Sequence, residues 1–361
     1  MVKQKNIVIA GGGTGGHVFP ALAIARGLEE VGVSKDSIVF FGSNRTLEKD
    51  LVPKYGYKLV KFKGKGLNKK EYIKNIYHFF LISIACIKAV ILFIINRPKV
   101  VIGVGGYASL PAMLAASLLR INRIVHEQNA HVGRTNMLAS KLGAAMILTF
   151  ENTANKPSNS VVLGLPRLDN FDDVINMRRK YLSNKDKRKV VVISGGSLGS
   201  QAINDAAIKM LEVFSNDIDF DIVHFAGKNN ISKVRADTQN IEHAFTYTLL
   251  DFDESINSYY AQSDCVVSRA GAGTCVDLEI ISVPCVLIPL PGAPGDHQRH
   301  NAQNLLEAGQ AELIDQKELN ADKLFKSILS ALKKDLNINT NVFHLNARNK
   351  IAIYMKEKYL K

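Results

Sequence analysis

A chain of 361 residues, 47% apolar and 22% charged, has the composition of a folded protein and is long for one core, so two domains are expected and disorder is excluded. Its net charge of +13, from 46 Lys and Arg against 33 Asp and Glu, calls for an anionic partner: nucleic acid, a phospholipid surface or a phosphorylated substrate. Cys86, Cys265, Cys275 and Cys285 form no C-x-x-C pair and have no His at ligand spacing, so reduced, mostly buried thiols of a cytosolic protein are expected, and a zinc site is not.

Lys3 and Lys5 lead directly into a short strand, with no apolar h-region, so no signal peptide is expected. Residues 7–10, IVIA, read as that strand; the loop GGGTGG follows, and Ala21, Leu22, Ile24, Ala25 and Leu28 then recur at helical spacing. Glycines in such a loop let a ligand approach the backbone, and the helix behind them offers unpaired N–H groups to an anion or a crowded polar ligand. Pro20 is expected in the first helical turn, where its missing N–H costs nothing. Gly11, Gly13 and Gly16 also satisfy G-x-G-x-x-G, which alone is a weak dinucleotide signal. The second strand, residues 37–41, ends in GSNR, with Asn44 and Arg45 where NAD would need an acid; NAD is disfavoured and NADP stays open as a minor alternative.

Residues 72–99 are the most apolar part of the chain. Within them 79–95 carry Lys88 as the one charge, at the lower limit of the roughly 20 residues a spanning helix needs. Lys58, Lys61, Lys63, Lys65, Lys69, Lys70 and Lys74 flank the run. A core helix and a transmembrane helix are alternatives to the favoured reading, an interfacial helix docking on an anionic membrane surface. Nucleic acid is not expected as a partner, because no recognised binding module accompanies the basic residues.

VIGVGGYASLPAMLAA, 101–116, repeats strand, glycine turn and helix, with Pro111 in the opening turn. RIVHEQNAHVGRTN, 123–136, packs His126, Glu127, Gln128 and Asn129 into one loop after a strand. His126 alone reads as structural, whereas the cluster favours a site. The first device then returns as KVVVISGGSLGSQAIN: strand 190–193, a glycine loop over 194–200, and a helix opening near Gln201. Two Rossmann-like domains facing each other across a cleft, one ligand on each wall, are the simplest account. Asp217–Asp219, Asp219–Asp221 and Asp251–Asp253 form D-x-D patterns, read as solvated turns and a helix cap in preference to metal sites. In 264–305, Gly271 to Thr274 would aim helix N–H groups at a phosphate. Asp277 and Glu279 stand about 200° apart on that helix, so only one can face a ligand. Asp277 reads equally as a ribose acceptor or a dipole-compensating acid, and Gln298 and Asn301 as readers of sugar hydroxyls.

GGGTGGHVFPALAIA, GSNRTLEKDLVPKYGY, GVGGYAS, HEQNA, SGGSLGSQAIN, and SRAGAGT with HQRHNAQ resemble, in order and from residue 6 to about 305, the motifs of the MurG family. These are peptidoglycan glycosyltransferases of the GT-B fold that make lipid II for cell-wall synthesis, cell shape and division. The resemblance implies an α/β protein with an acceptor-binding, membrane-associating domain at 1–165, a UDP-sugar domain at 166–341, and a closing helix at about 342–361 packed on the first. It implies inverting transfer of N-acetylglucosamine from UDP-N-acetylglucosamine to the 4-hydroxyl of the muramoyl sugar of undecaprenyl-linked lipid I, at the cytoplasmic face of the plasma membrane, by a peripheral enzyme. No cofactor is required by it, and whether a divalent ion assists stays open. An NADP-linked oxidoreductase and a non-catalytic nucleotide-sugar scaffold are the alternatives.

Carried over by position, His17 is the candidate general base, suited to that role because an imidazole titrates at about 6.5; a cap-region residue bonding the loop backbone is its bland alternative. Thr14, Gly15 and Gly16 line the cleft from the acceptor side and count among the donor contacts, Asn129 touches the donor sugar, Ser197 the donor phosphates and the backbone near Asp253 the uracil. Ala272, Gly273, Thr274, Cys275, Val276 and Asp277 hold phosphate and ribose, Gln298 the sugar hydroxyls, and Tyr107 and Glu127 the acceptor. The sequence departs from the family pattern in three places. Asp277 replaces a usual Glu and reaches about one methylene less far; Arg167 stands one place early in Gly164-Leu165-Pro166-Arg167, which bears on its phosphate contact; and Leu198 replaces a frequent Gln.

Overall fold

The computed structural model describes residues 7–44, 46–63, 72–184, 188–196, 199–339 and 342–360. The chain divides into two compact units, Met1–Asp169 with Phe343–Lys361, and Asn170–Val342.

The first unit alternates strand and helix: β1 (Ile7–Ala10), α1 (Gly15–Glu30), β2 (Ile38–Ser43), α2 (Thr46–Lys54), β3 (Lys58–Phe62), α3 (Tyr72–Asn96), β4 (Val100–Gly103), α4 (Leu110–Leu118), β5 (Asn122–Glu127), α5 (Arg134–Lys141), β6 (Ala145–Leu148) and β7 (Val161–Val162). All pairings are parallel, in the order β3-β2-β1-β4-β5-β6-β7, with Ile9 opposite both Phe40 and Ile102. Every residue of β1 and β4 is buried, which is why these strands read as unbroken apolar runs: a parallel sheet is covered on both faces. One face packs Leu22, Ile24 and Leu28 of α1 together with Ile351 and Met355. The other packs Ala85, Ala89 and Phe93 of α3 with Met113 of α4.

The second unit opens with α6 (Phe171–Ser183) and continues β8 (Val190–Ser194), α7 (Gln201–Phe214), β9 (Asp221–Phe225), α8 (Ile231–Thr238), β10 (Tyr247–Leu250), α9 (Ile256–Ala261), β11 (Cys265–Ser268), α10 (Ala272–Ile281), β12 (Cys285–Leu287), α11 (His297–Glu307), β13 (Ala311–Leu313) and α12 (Ala321–Ala331). Its sheet is parallel in the order β10-β9-β8-β11-β12-β13. Cys265, Cys275 and Cys285 are free and buried, and burial pushes all three thiols up. Helix α13 (Ala347–Met355) belongs to the first unit: Arg348 pairs with Glu30 at 3.1 Å, and a side chain on Gly27 would come within 2.9 Å of the Arg348 carbonyl oxygen.

In each sheet the strand order reverses beside its first strand, so the loops after β1 and β4, and after β8 and β11, flank a topological switch point where open parallel sheets bind ligands. One local expectation is corrected. Helix α1 begins inside the glycine loop at Gly15, so Pro20 stands a turn further in than its expected first-turn place, and it has no N–H for the Gly16 carbonyl.

Candidate active site

The first glycine loop is held by a carboxylate that its sequence does not advertise. Glu48 of α2 is 1% exposed; its Oε2 accepts the Gly13 amide at 3.0 Å, and its Oε1 accepts the Ser43 hydroxyl at 2.5 Å. Tyr107 donates to Ser43 at 3.2 Å, and its ring lies beside Gly13. Beyond this brace Thr14 and Gly16 are exposed, and the amides of His17 and Val18 bond the Thr14 carbonyl at 3.1 Å.

His17, half-exposed in the first turn of α1, packs its ring against the turn after β4. A side chain on Gly106 would stand 3.0 Å from His17 Cδ2 and 3.3 Å from Nε2, and one on Gly105 would be 3.3 Å from Cε1. Nδ1 of His17 meets Gln128 Oε1 at 3.3 Å. Thr14, His17, Tyr107 and the HEQNA loop are thereby gathered at the carboxyl ends of β1, β4 and β5.

Within HEQNA the side chains divide. Glu127 is buried, and its carboxylate accepts the amides of Asn129 at 3.1 Å and Gly133 at 2.9 Å and the Asn136 side chain at 2.9 Å. It shapes the loop from inside, where the sequence suggested a direct acceptor contact. His126 is buried, with Nε2 at 3.0 Å from the Gly164 carbonyl, as its structural reading anticipates. Asn129 stays half-exposed at the rim.

In the second unit, the loop after β8 and the turn after β11 are tied by Arg269. Its guanidinium donates to the Ile288 and Pro289 carbonyls at 3.1 and 3.3 Å, to the Ser200 hydroxyl at 2.6 Å and to Gln316 at 2.7 Å. Ser200 also caps α7, accepting the Ile203 amide. Ser197 and Leu198 lie outside the described residues. Helix α10 starts at Gly271 without a side-chain cap; Cys275 N is taken by the Gly271 carbonyl at 2.9 Å, which leaves the N–H groups of Ala272, Gly273 and Thr274 as the helix's opening donors. Gly273 and Thr274 are half-exposed, whereas the side chains of Ala272, Cys275, Val276 and Asp277 are buried, so what this helix offers a ligand is its first-turn backbone and the Thr274 hydroxyl. Glu279 is half-buried, and burial raises its carboxyl above the usual range.

Gln298 on α11 is half-buried, its Oε1 accepting the Leu290 amide at 2.9 Å, which leaves the NH₂ end of the amide as its donor. Asn301 is buried and donates to the Ala270 carbonyl at 3.2 Å, so it holds the α10 turn, where the sequence suggested a reader of sugar hydroxyls. Asp253 accepts both the amide and the hydroxyl of Ser255, at 2.7 and 2.6 Å, and these bonds lower its pKa; the sequence indicated a helix cap at 251–253, whereas the N-cap position of α9 is Ser255 and Asp253 forms the turn before it. Among the described residues no three His, Cys, Asp or Glu side chains gather as a metal site. Arg167 is half-buried near the end of the first unit, and its carbonyl accepts from Arg348 at 3.1 Å.

Sequence reasoning missed Glu48 and Arg269. The signal for Glu48 was its spacing four residues before the buried Val52, which puts a carboxylate on the inward face of α2.

Comparison with known proteins supplies the family. The glycosyltransferase family 28 N-terminal domain matches residues 7–147 and the glycosyltransferase family 28 C-terminal domain residues 190–352. A protein of Myxococcus xanthus, named UDP-N-acetylglucosamine--N-acetylmuramyl-(pentapeptide) pyrophosphoryl-undecaprenol N-acetylglucosamine transferase, is 36% identical over 330 residues, covering 90% of this chain and 84% of its own. A protein of the same name from Desulforamulus reducens is 33% identical over 334 residues, 90% of each chain. The chain belongs to the MurG family. The crystal structure of Acinetobacter baumannii MurG superposes with a TM-score of 0.74 at 26% identity, over 97% of this chain and 95% of that one. A Neisseria meningitidis UDP-GlcNAc 2-epimerase bound to UDP-GlcNAc shares the fold, at 15% identity and a TM-score of 0.64 over 98% and 99% of the two chains. MurG membership and two parallel-sheet Rossmann-like units agree with the expectation from the motifs.

Proposed function

We infer that this chain is the N-acetylglucosamine transferase for which its MurG relatives are named, moving the sugar from UDP-N-acetylglucosamine to the 4-hydroxyl of the muramoyl sugar of undecaprenyl-linked lipid I. The observation that carries the reading is the half-exposed imidazole of His17, seated at the open end of the first glycine loop. The hydroxyl oxygen attacks the anomeric carbon from the face opposite the leaving group, its proton passes to His17, and the bond to the diphosphate oxygen breaks with the electron pair leaving on UDP. The configuration inverts. In the second unit the opening amides of α10 receive the diphosphate and stabilise its growing charge, the Gln298 amide donates to the sugar, and the turn at Asp253 takes the uracil. The NADP reading fares poorly against Glu48, whose carboxylate occupies the Gly13 amide that a pyrophosphate would need.

The test is UDP release from UDP-N-acetylglucosamine on adding a soluble lipid I analogue. Release that depends on acceptor and falls about a hundredfold in His17→Ala, with donor binding intact, supports the reaction and its base. Donor binding without release from wild type would instead favour the scaffold.

The acceptor's lipid fits a second feature. Phe80, Ile84, Ile87, Ile91 and Ile94 are exposed along α3 at spacings of four and three, while Ile82, Ala85, Ala89 and Phe93 on the opposite side are buried in the domain. The segment Tyr77–Asn96 is long and apolar enough to cross a membrane, yet its inner stripe is part of the sheet packing, which favours a helix lying at the cytoplasmic leaflet. Lys88 does not interrupt that face; it reaches aside to the Lys61 carbonyl at 2.7 Å. Lys58, Lys61 and Lys63 are exposed and suited to anionic headgroups, whereas Lys65, Lys69, Lys70 and the Lys74 side chain lie outside what is described.

A further inference from the structure

A hydrogen-bonded chain lies behind His17, and two backbone carbonyls decide where each proton in it sits. His126 Nε2 faces the Gly164 carbonyl at 3.0 Å; a carbonyl only accepts, so Nε2 carries hydrogen. Burial keeps this imidazole neutral by pushing its pKa down to about 4, so Nδ1 keeps its lone pair. Gln128 Nε2 meets that lone pair at 3.2 Å and also lies 3.1 Å from the His126 carbonyl. The second contact fixes the amide, because only an NH₂ group can face a carbonyl. Its Oε1 is therefore the atom 3.3 Å from His17 Nδ1. An oxygen there demands N–H at Nδ1, which puts the His17 lone pair on Nε2.

We propose that Gln128 and His126 are positioning residues that hold His17 in its Nδ1–H tautomer, making Nε2 the atom that takes the proton of the acceptor hydroxyl. The proposal rests on His17 being the base. The opposite tautomer would set a lone pair against the Gln128 oxygen and present an N–H to the hydroxyl, which cannot accept its proton. The chain extends to the connections between the units. After Gly164, the Leu165 amide donates to Nδ1 of buried His344 at 3.2 Å. These residues stand just inside Asp169 and Phe343, where the chain leaves and re-enters the first unit. The backbone that carries the chain to the second unit thus sets the polarity of the base.

The test joins ¹⁵N histidine spectra of the full-length protein with steady-state kinetics. Wild type is expected to show His17 protonated at Nδ1. Gln128→Met, similar in length but without the amide, is expected to mix the tautomers and lower kcat at least about tenfold at unchanged KM for UDP-N-acetylglucosamine. Gln128→Glu, protonated in this buried place, keeps a C=O toward His17 Nδ1 while its O–H replaces the amide donor toward His126, and should recover most of that loss. A Gln128 that merely packs would give the reverse order, since a buried acid disturbs a core more than a thioether does. An Nε2–H tautomer in wild type overturns the proposal whatever the variants do. Full activity in His17→Ala, even with Nδ1–H found in wild type, would overturn it through the loss of the base alone.

Discussion

Glu48 and Gly106 carry the local geometry of the first loop, and each makes a distinct prediction. Glu48→Ala strips the acceptor from a half-buried amide and a buried hydroxyl, so urea unfolding should report a loss of about 2–3 kcal/mol; an unchanged midpoint would show that water replaces the carboxylate. Gly106 has φ +71, and a Cβ there would press within 3.0 Å of both the Gly12 carbonyl and the His17 ring. Gly106→Ala should therefore lower kcat about tenfold or more while titration calorimetry shows UDP-N-acetylglucosamine bound as before. At this scale the sequence was legible where polar side chains stand at a loop rim: Thr14 is exposed and His17 and Asn129 half-exposed at the strand ends where their motifs put them. It was less legible where a polar side chain turns inward: Glu127 and Asn301 are buried and brace their loops, because burial is decided by the neighbouring strands and helices.

The same contrast governs the elements. Strands and glycine turns could be read directly, since parallel strands covered on both faces are apolar throughout and a helix must start after each turn. The start of α1 inside its glycine loop was less legible, because glycine takes helical and non-helical conformations alike. Arg269 links the second glycine loop to the segment after β12 through a planar fork that lysine does not reproduce. Arg269→Lys should raise the KM for UDP-N-acetylglucosamine about tenfold with kcat changed less; equal loss in both would place Arg269 in the chemical step. On α3, Ile87→Asp with Ile91→Asp removes two apolar side chains from the exposed stripe. Co-sedimentation with anionic vesicles should weaken by tenfold or more, while turnover of a water-soluble acceptor is kept. Undiminished vesicle binding would move the membrane face elsewhere.

For the whole molecule, three buried histidines tie stability to pH. His126 and His344 in the first unit and His224 in the second each have pKa values near 4, lowered first by burial; Lys350 and His126 lower His344 further. The unfolded imidazole titrates at about 6.5, so between these values the unfolded chain binds more protons. The stability these groups contribute is complete above about pH 6.5 and is lost as pH falls toward 4, by about 2 kcal/mol per histidine at pH 5. Urea midpoints should fall from pH 7.5 to pH 5, and a rise would contradict the neutral histidines on which the proton assignment beside His17 depends.

UDP-GlcNAc 2-epimerases share this fold, so the identity of the product tests the functional account most directly. The measurement is NMR analysis of the products formed from UDP-N-acetylglucosamine with and without a soluble lipid I analogue. The account predicts β-linked N-acetylglucosamine on the 4-hydroxyl of the muramoyl sugar together with UDP, and neither product without acceptor. An epimerised or freed sugar in the absence of acceptor, or an α linkage in its presence, would contradict it.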